Sequence, residues 1–150
     1  MALTHEFLLI KKEIMVDQGF YFSPMYEEMV TVHDDLILYI SDSLVWLPTY
    51  NPSKKEFQSG LSYHGVTIIQ DQGATLLKNI CHSWYELFLL APQTFALTGS
   101  YTWKNDEGIE SVEYERIHCE RNQLTTLLKN LATLADRASA NDYCILHKGL

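Results

Sequence analysis

From Glu13 to Ser53 the sequence contains no lysine or arginine, while Glu13, Asp17, Glu27, Glu28, Asp34, Asp35 and Asp42 all fall inside that stretch. Across the whole chain 11 basic residues face 19 acidic ones, a formal net charge of −8. So few cations weigh against direct binding of nucleic acid or of anionic membranes, both of which draw on Lys and Arg. Cysteine is scarce too. Cys81, Cys119 and Cys144 are odd in number and widely spaced, which does not read as a secreted disulfide framework and points to a reducing compartment. The start, Met-Ala-Leu-Thr-His-Glu, has no basic region, and the apolar run Phe7–Ile10 stops at Lys11 and Lys12. It reads neither as a signal peptide nor as a membrane span, so a cytoplasmic location is expected. Repeats, low-complexity tracts and linker-like stretches are also missing.

Several chemistries lack their motifs. There is no Gly-x-Gly-x-x-Gly, no Gly-Lys-Ser/Thr and no Gly-x-Ser-x-Gly; Ser59-Gly60 and Gly99-Ser100 do not build a nucleophile elbow. Cys81-His82, His118-Cys119 and Cys144-x-x-His147 bring Cys and His together, but only the last has chelate spacing. Tetrahedral zinc needs four convergent ligands, so buried thiols with incidental histidines are the better reading, and no metal or cofactor is expected. A Cys–His hydrolase would need a cationic surrounding to activate its thiol, which this chain is poor in. Glu27-Glu28 and Asp34-Asp35 could be paired catalytic acids, yet adjacent carboxylates are ordinarily solvated surface. No catalytic residue is assigned.

What is present suits one domain. At 150 residues, with 47% apolar and 20% charged side chains, the chain can bury its own core and is not disordered. Residues 3–16 fit a short helix with Phe7, Ile10 and Ile14 on one side, and a strand is an alternative. Residues 19–24 suggest a turn, and residues 25–32 a turn or the start of the next helix. His33 or Asp34 would cap a helix through Leu36, Tyr39, Ile40, Ser43 and Leu47, ended by Pro48. Asn51-Pro52-Ser53 opens a loop carrying Lys54 and Lys55, and Val66–Ile69 is a short β-branched run.

The apolar stripe Leu77, Ile80, Trp84, Leu87 and Phe88 predicts an amphipathic helix closed by Pro92. Phe95, Leu97, Gly99, Tyr101 and Trp103 alternate with Ala96, Thr98, Ser100 and Thr102. After a reversal at residues 104–108, Val112 and Tyr114 alternate with Ser111, Glu113 and Glu115, which predicts an antiparallel hairpin with Glu113 and Glu115 on its solvated face. Leu124, Leu127, Leu128, Leu131, Leu134 and Ala135 predict a helix over about 120–138, and Tyr143–Leu146 a last strand. The expected class is α+β, amphipathic helices packed on a small, mostly antiparallel sheet.

Segregated charge is the clearest functional signal. A second acidic cluster, Asp106, Glu107, Glu110, Glu113 and Glu115, is relieved only by Arg116. Such a distribution draws basic partners, and close like charges cost stability unless something uses them. The plain alternative is a solvated face. The candidate partner-binding residues are Glu27, Glu28, Asp34, Asp35 and Asp42 with Tyr26 and Tyr50 beside them, then Glu113 and Glu115.

Residues 50–150 carry a resemblance. Asn51-Pro52, Gly60-Leu61, Gly65, Thr67-Ile68-Ile69, Trp84, Leu87-Phe88, Ala91-Pro92, Phe95, Leu97-Thr98-Gly99, the leucine-rich helix and Ile145-Leu146-His147-x-Gly149 together resemble a bacterial immunity protein of the contact-dependent growth inhibition or polymorphic-toxin type. The resemblance implies a non-enzymatic protein that binds the toxic C-terminal domain encoded beside it and blocks its activity. Many such toxins are nucleases with basic clefts that an acidic cap can occupy. The rival readings are an adaptor or small-ligand module, with its pocket between the hairpin and the helices, and a small Cys–His hydrolase.

Overall fold

The computed structural model describes residues 3–13, 25–140 and 142–150. Its centre is an antiparallel sheet whose middle strands are buried on both sides. Strand β1 (Thr4–Lys11) places Phe7 and Leu9 in the helix-side core, and Leu8 and Ile10 in a second apolar cluster with Ile68, Cys144 and Leu146. Burial on both faces is why Phe7–Ile10 is an unbroken apolar run, and why residues 3–16 admitted helix or strand on periodicity alone. The structure makes the strand. The predicted turn at residues 19–24 lies outside the described residues.

Strand β2 (Glu28–His33) pairs with β1, where the sequence suggested a turn or helix. His33 then caps α1 (Asp34–Tyr39), its Nδ1 accepting from the Asp35 amide at 3.1 Å. The helix expected to run on to Leu47 is interrupted at Ile40, whose carbonyl accepts the Ser43 hydroxyl at 2.7 Å; α2 (Ser41–Leu44) follows. β3 (Pro48–Asn51) and β4 (Glu56–Ser59) form a hairpin through Lys54 and Lys55, with Lys55 at φ 57°. β5 (Val66–Ile69) occupies the β-branched run.

Helices α3 (Asp71–Phe88) and α4 (Arg121–Ala138) pack on each other and on the sheet by the two predicted stripes, except that Leu87, expected on the inner face of α3, is 54% exposed. On α4, Leu124, Leu128, Leu131 and Leu134 are buried, each contributing roughly 1.5–3 kcal/mol by leaving water. Gly73 lets α3 approach β3, for a Cβ there would collide with the Pro48 carbonyl. β8 (Tyr143–Lys148) inserts between β1 and β5 and completes the six-stranded order β2-β1-β8-β5-β3-β4. β6 (Thr94–Asp106) and β7 (Ile109–Glu120) form a separate two-stranded ribbon. The fold is α+β, as expected from the sequence.

Candidate partner-binding site

The ribbon is rooted by Phe95, Leu97, Ile117 and Cys119, which pack against the helix-side core. Beyond that root, every residue from Ser100 to Glu110 is exposed. The strands meet in a two-residue turn, Glu107 and Gly108, with φ of 54° and 81°. That positive-φ pair suits the twist of a hairpin, and it makes the strands longer and the loop shorter than the reversal predicted at residues 104–108.

A bulge decides which way the ribbon's aromatics point. Thr98 pairs with Arg116 and Tyr101 with Tyr114, so β6 spends one residue more than β7 between those pairs. Simple alternation would have put Tyr101 and Trp103 on the face of Phe95 and Leu97. After the bulge they share the opposite face with Tyr114 and Val112. Gly99 sits at the irregularity, where a Cβ would press on Ile117 and Glu115. Tyr101, Trp103 and Tyr114 are 53%, 69% and 59% exposed. They nonetheless order one another: Tyr101 meets Tyr114 edge-on at 5.1 Å and Trp103 at 6.2 Å between ring centroids. Three such rings in contact make a contiguous apolar surface.

Residues 94–120 hold the acids Asp106, Glu107, Glu110, Glu113, Glu115 and Glu120 against Lys104 and Arg116, a net −4 of the chain's −8. Lys104 is bound to Glu113 at 2.6 Å on the reverse of the ribbon, and by register Glu115 shares that reverse face. Glu113 and Glu115 are both exposed, as the sequence predicted.

The other candidate residues are dispersed. Glu27 and Glu28 are held by Arg137 at 3.1 and 2.6 Å. Asp34 is buried, accepting from Tyr63 at 2.8 Å and bonded to His5 at 2.9 Å. Asp35 Oδ2 lies 3.3 Å from His33 Nδ1, the atom that caps α1, and Asp42 is exposed on α2. Tyr26 is half exposed. Tyr50 is paired with Ile68 and packs on the second apolar cluster, across the sheet from α1, with Phe57 at 5.2 Å. The expected acidic face over residues 26–50 is therefore not one surface. Sequence periodicity could not separate a charge that folds inward from one left outside.

His5 links Asp34 to His147: His5 Nδ1 lies 2.9 Å from His147 Nε2, the two rings nearly parallel and fully buried. Burial, and then His5 beside it, lower the His147 pKa to about 3. The hydrogen bond to Asp34 raises that of Tyr63.

Burial pushes the thiols of Cys81 and Cys144 up to about 12, away from the thiolate a nucleophile needs. Among the described residues no group of three or more His, Cys, Asp or Glu is arranged to hold a metal ion. Nor is any described helix long and apolar enough to cross a membrane. Two clefts flank Asp35 where the ribbon meets the body. One, of about 340 Å³, lies between α1 and the bulge; the other, of about 400 Å³, is lined by His33, Leu97, His118, Cys119 and Gln123.

No protein-family model, curated protein or solved structure matches this sequence.

Proposed function

We propose that this chain is an immunity protein that binds a cognate bacterial toxin domain, most simply a nuclease with a basic cleft, and blocks it. The observation that carries the reading is the ribbon: an exposed, net-negative hairpin bearing three aromatic rings, Tyr101 packed between Trp103 and Tyr114, none of which the core uses. Rigid aromatics supply contact area at little entropic cost, and the surrounding carboxylates speed encounter with a cationic partner. The resemblance of residues 50–150 to immunity proteins supports the same conclusion. The docking element becomes the ribbon carrying Glu113 and Glu115, with Asp42 as an outlying charge.

The test is expression of the toxic domain encoded immediately upstream, alone and with this chain. Restored growth together with a complex of the two purified proteins supports the reading; a toxin equally active in the presence of this chain removes it.

The two clefts beside Asp35 favour a second reading, an adaptor whose pocket lies between ribbon and helices. A small molecule carried through purification and released on denaturation would support that reading.

A further inference from the structure

The protein builds one arginine site internally, and the ribbon repeats its ingredients without an arginine of its own at the distal end. Arg137 lies 5.6 Å over the ring of Tyr143 and is bonded to Glu27 at 3.1 Å and to Glu28 at 2.6 Å. Tyr143 itself donates to Glu27 at 3.3 Å. An aromatic face plus carboxylates is the arrangement a guanidinium favours, because it is flat, always charged, weakly hydrated and able to stack while its N–H groups donate sideways.

On the ribbon, Tyr101, Trp103 and Tyr114 present ring faces with Glu110 on the same side and Glu107 in the turn, while Asp106 at the tip falls on the reverse face by register. Lys104 is tied to Glu113 on the reverse side; Arg116 shares the aromatic face by register but stands at its root, two residues from Tyr114, with its Nη1 3.4 Å from Thr98 Oγ1. The outer half of the aromatic face, around Trp103, thus has Glu110 and Glu107 as neighbours, and the one cation on this face, Arg116, lies at its inner end.

We propose that this face is a docking surface for an arginine-rich segment of a partner protein, the guanidinium groups stacking on Trp103, Tyr101 and Tyr114 and donating to the acids of the tip. The proposal rests on the reading of the ribbon as the docking element and specifies the partner's chemistry. A second copy of this chain is a poor occupant, since it would bring another net −4 onto the first.

The experiment titrates the full chain, at low salt, with two peptides of equal length and charge, one alternating Arg and Ser, the other Lys and Ser. Binding is followed by calorimetry and by the Trp103 indole resonance. The expected result is that the arginine peptide binds at least about 5-fold tighter than the lysine peptide, because a flat, weakly hydrated guanidinium stacks on a ring at less cost than a strongly hydrated ammonium. The Trp103 resonance should shift, and Tyr101→Ser with Trp103→Ser should remove the preference while Trp46→Ser leaves it. Equal affinity for both peptides, or a preference that survives the double substitution, overturns the proposal; so does self-association that the double substitution abolishes. Arginine preference without binding to the upstream-encoded domain keeps this face and removes the immunity reading. Binding of that domain unaffected by the double substitution does the reverse.

Discussion

His147 Nε2 lies 2.9 Å from His5 Nδ1, and His5 Nε2 lies 2.9 Å from Asp34 Oδ1, so β8, β1 and the first turn of α1 are joined by one buried polar chain. His5 thus stands between the Asp34 carboxyl on its Nε2 side and His147 on its Nδ1 side. The contact occupies His147 Nε2, and its Nδ1 is buried without a hydrogen-bond partner. Burial, and then His5 beside it, oppose an added proton on the His147 ring, which is the physical meaning of its pKa near 3.

This makes stability depend on pH in a definite sense. Below about 6.5, the ordinary histidine value, the unfolded chain takes a proton at His147 that the folded chain refuses down to about 3. Between those limits the unfolded state binds more protons, so stability falls as pH falls, by up to about 1.4 kcal/mol per pH unit. His147→Gln keeps an amide donor and removes the titration. Urea unfolding between pH 6.5 and 5 should show a shallower slope for the variant; equal slopes would place the proton uptake elsewhere.

Asp34 belongs to that chain, and its role is stability. Asp34→Ala leaves the His5 ring N–H buried without its acceptor, which costs about 3 kcal/mol. The check is a pair of denaturation curves. A change below 0.5 kcal/mol would mean that the buried bond is not made in solution.

Gly149 closes the other end of β8. Its amide donates to Gly65 and that of Leu150 to Tyr63, at 2.7 and 2.9 Å, and a Cβ on Gly149 would run into the Tyr63 carbonyl. Gly149→Ala should lower stability by about 1–3 kcal/mol and speed hydrogen exchange at the Leu150 amide. Unchanged exchange there would mean that the strap gives way without cost.

The Arg137 bridges to Glu27 and Glu28 join partly exposed side chains. Arg137→Ala should change stability by no more than about 1 kcal/mol, as thermal unfolding would show. A larger loss would point to stacking on Tyr143 as the stronger contact.

Elements whose burial is one-sided were legible in the sequence. The stripes of α3 and α4, with Leu77 and Ile80 or Leu128 and Leu131 inward, have one helical period, and Phe95 and Leu97 alternate as one strand face should. β1 was ambiguous because Phe7–Ile10 is buried on both sides, and β2 because only Val32 of its six residues is buried. The bulge that turns Tyr101 away from Leu97 adds one residue to an otherwise regular alternation and leaves no compositional mark beyond Gly99. For the site, net charge pointed to both acidic clusters. Only the fold separates Asp34, turned inward to His5, from the acids of the ribbon left in water. That distinction depends on contacts between residues 29 or more positions apart, such as Asp34 with His5 and with Tyr63.

The most direct test of the central claim is the association rate of this chain with the upstream-encoded toxin domain at low and high salt. It compares the natural chain with two charge-reversed variants, one changing Asp106, Glu107 and Glu110 to Lys and the other Glu27 and Glu28 to Lys. Long-range attraction by the ribbon predicts fast, salt-sensitive association of the natural chain and a fall of about tenfold or more at low salt for the ribbon variant. The Glu27 and Glu28 variant should associate nearly as fast as the natural chain. Equal rates for the natural chain and the ribbon variant, or no binding by either, would contradict the account.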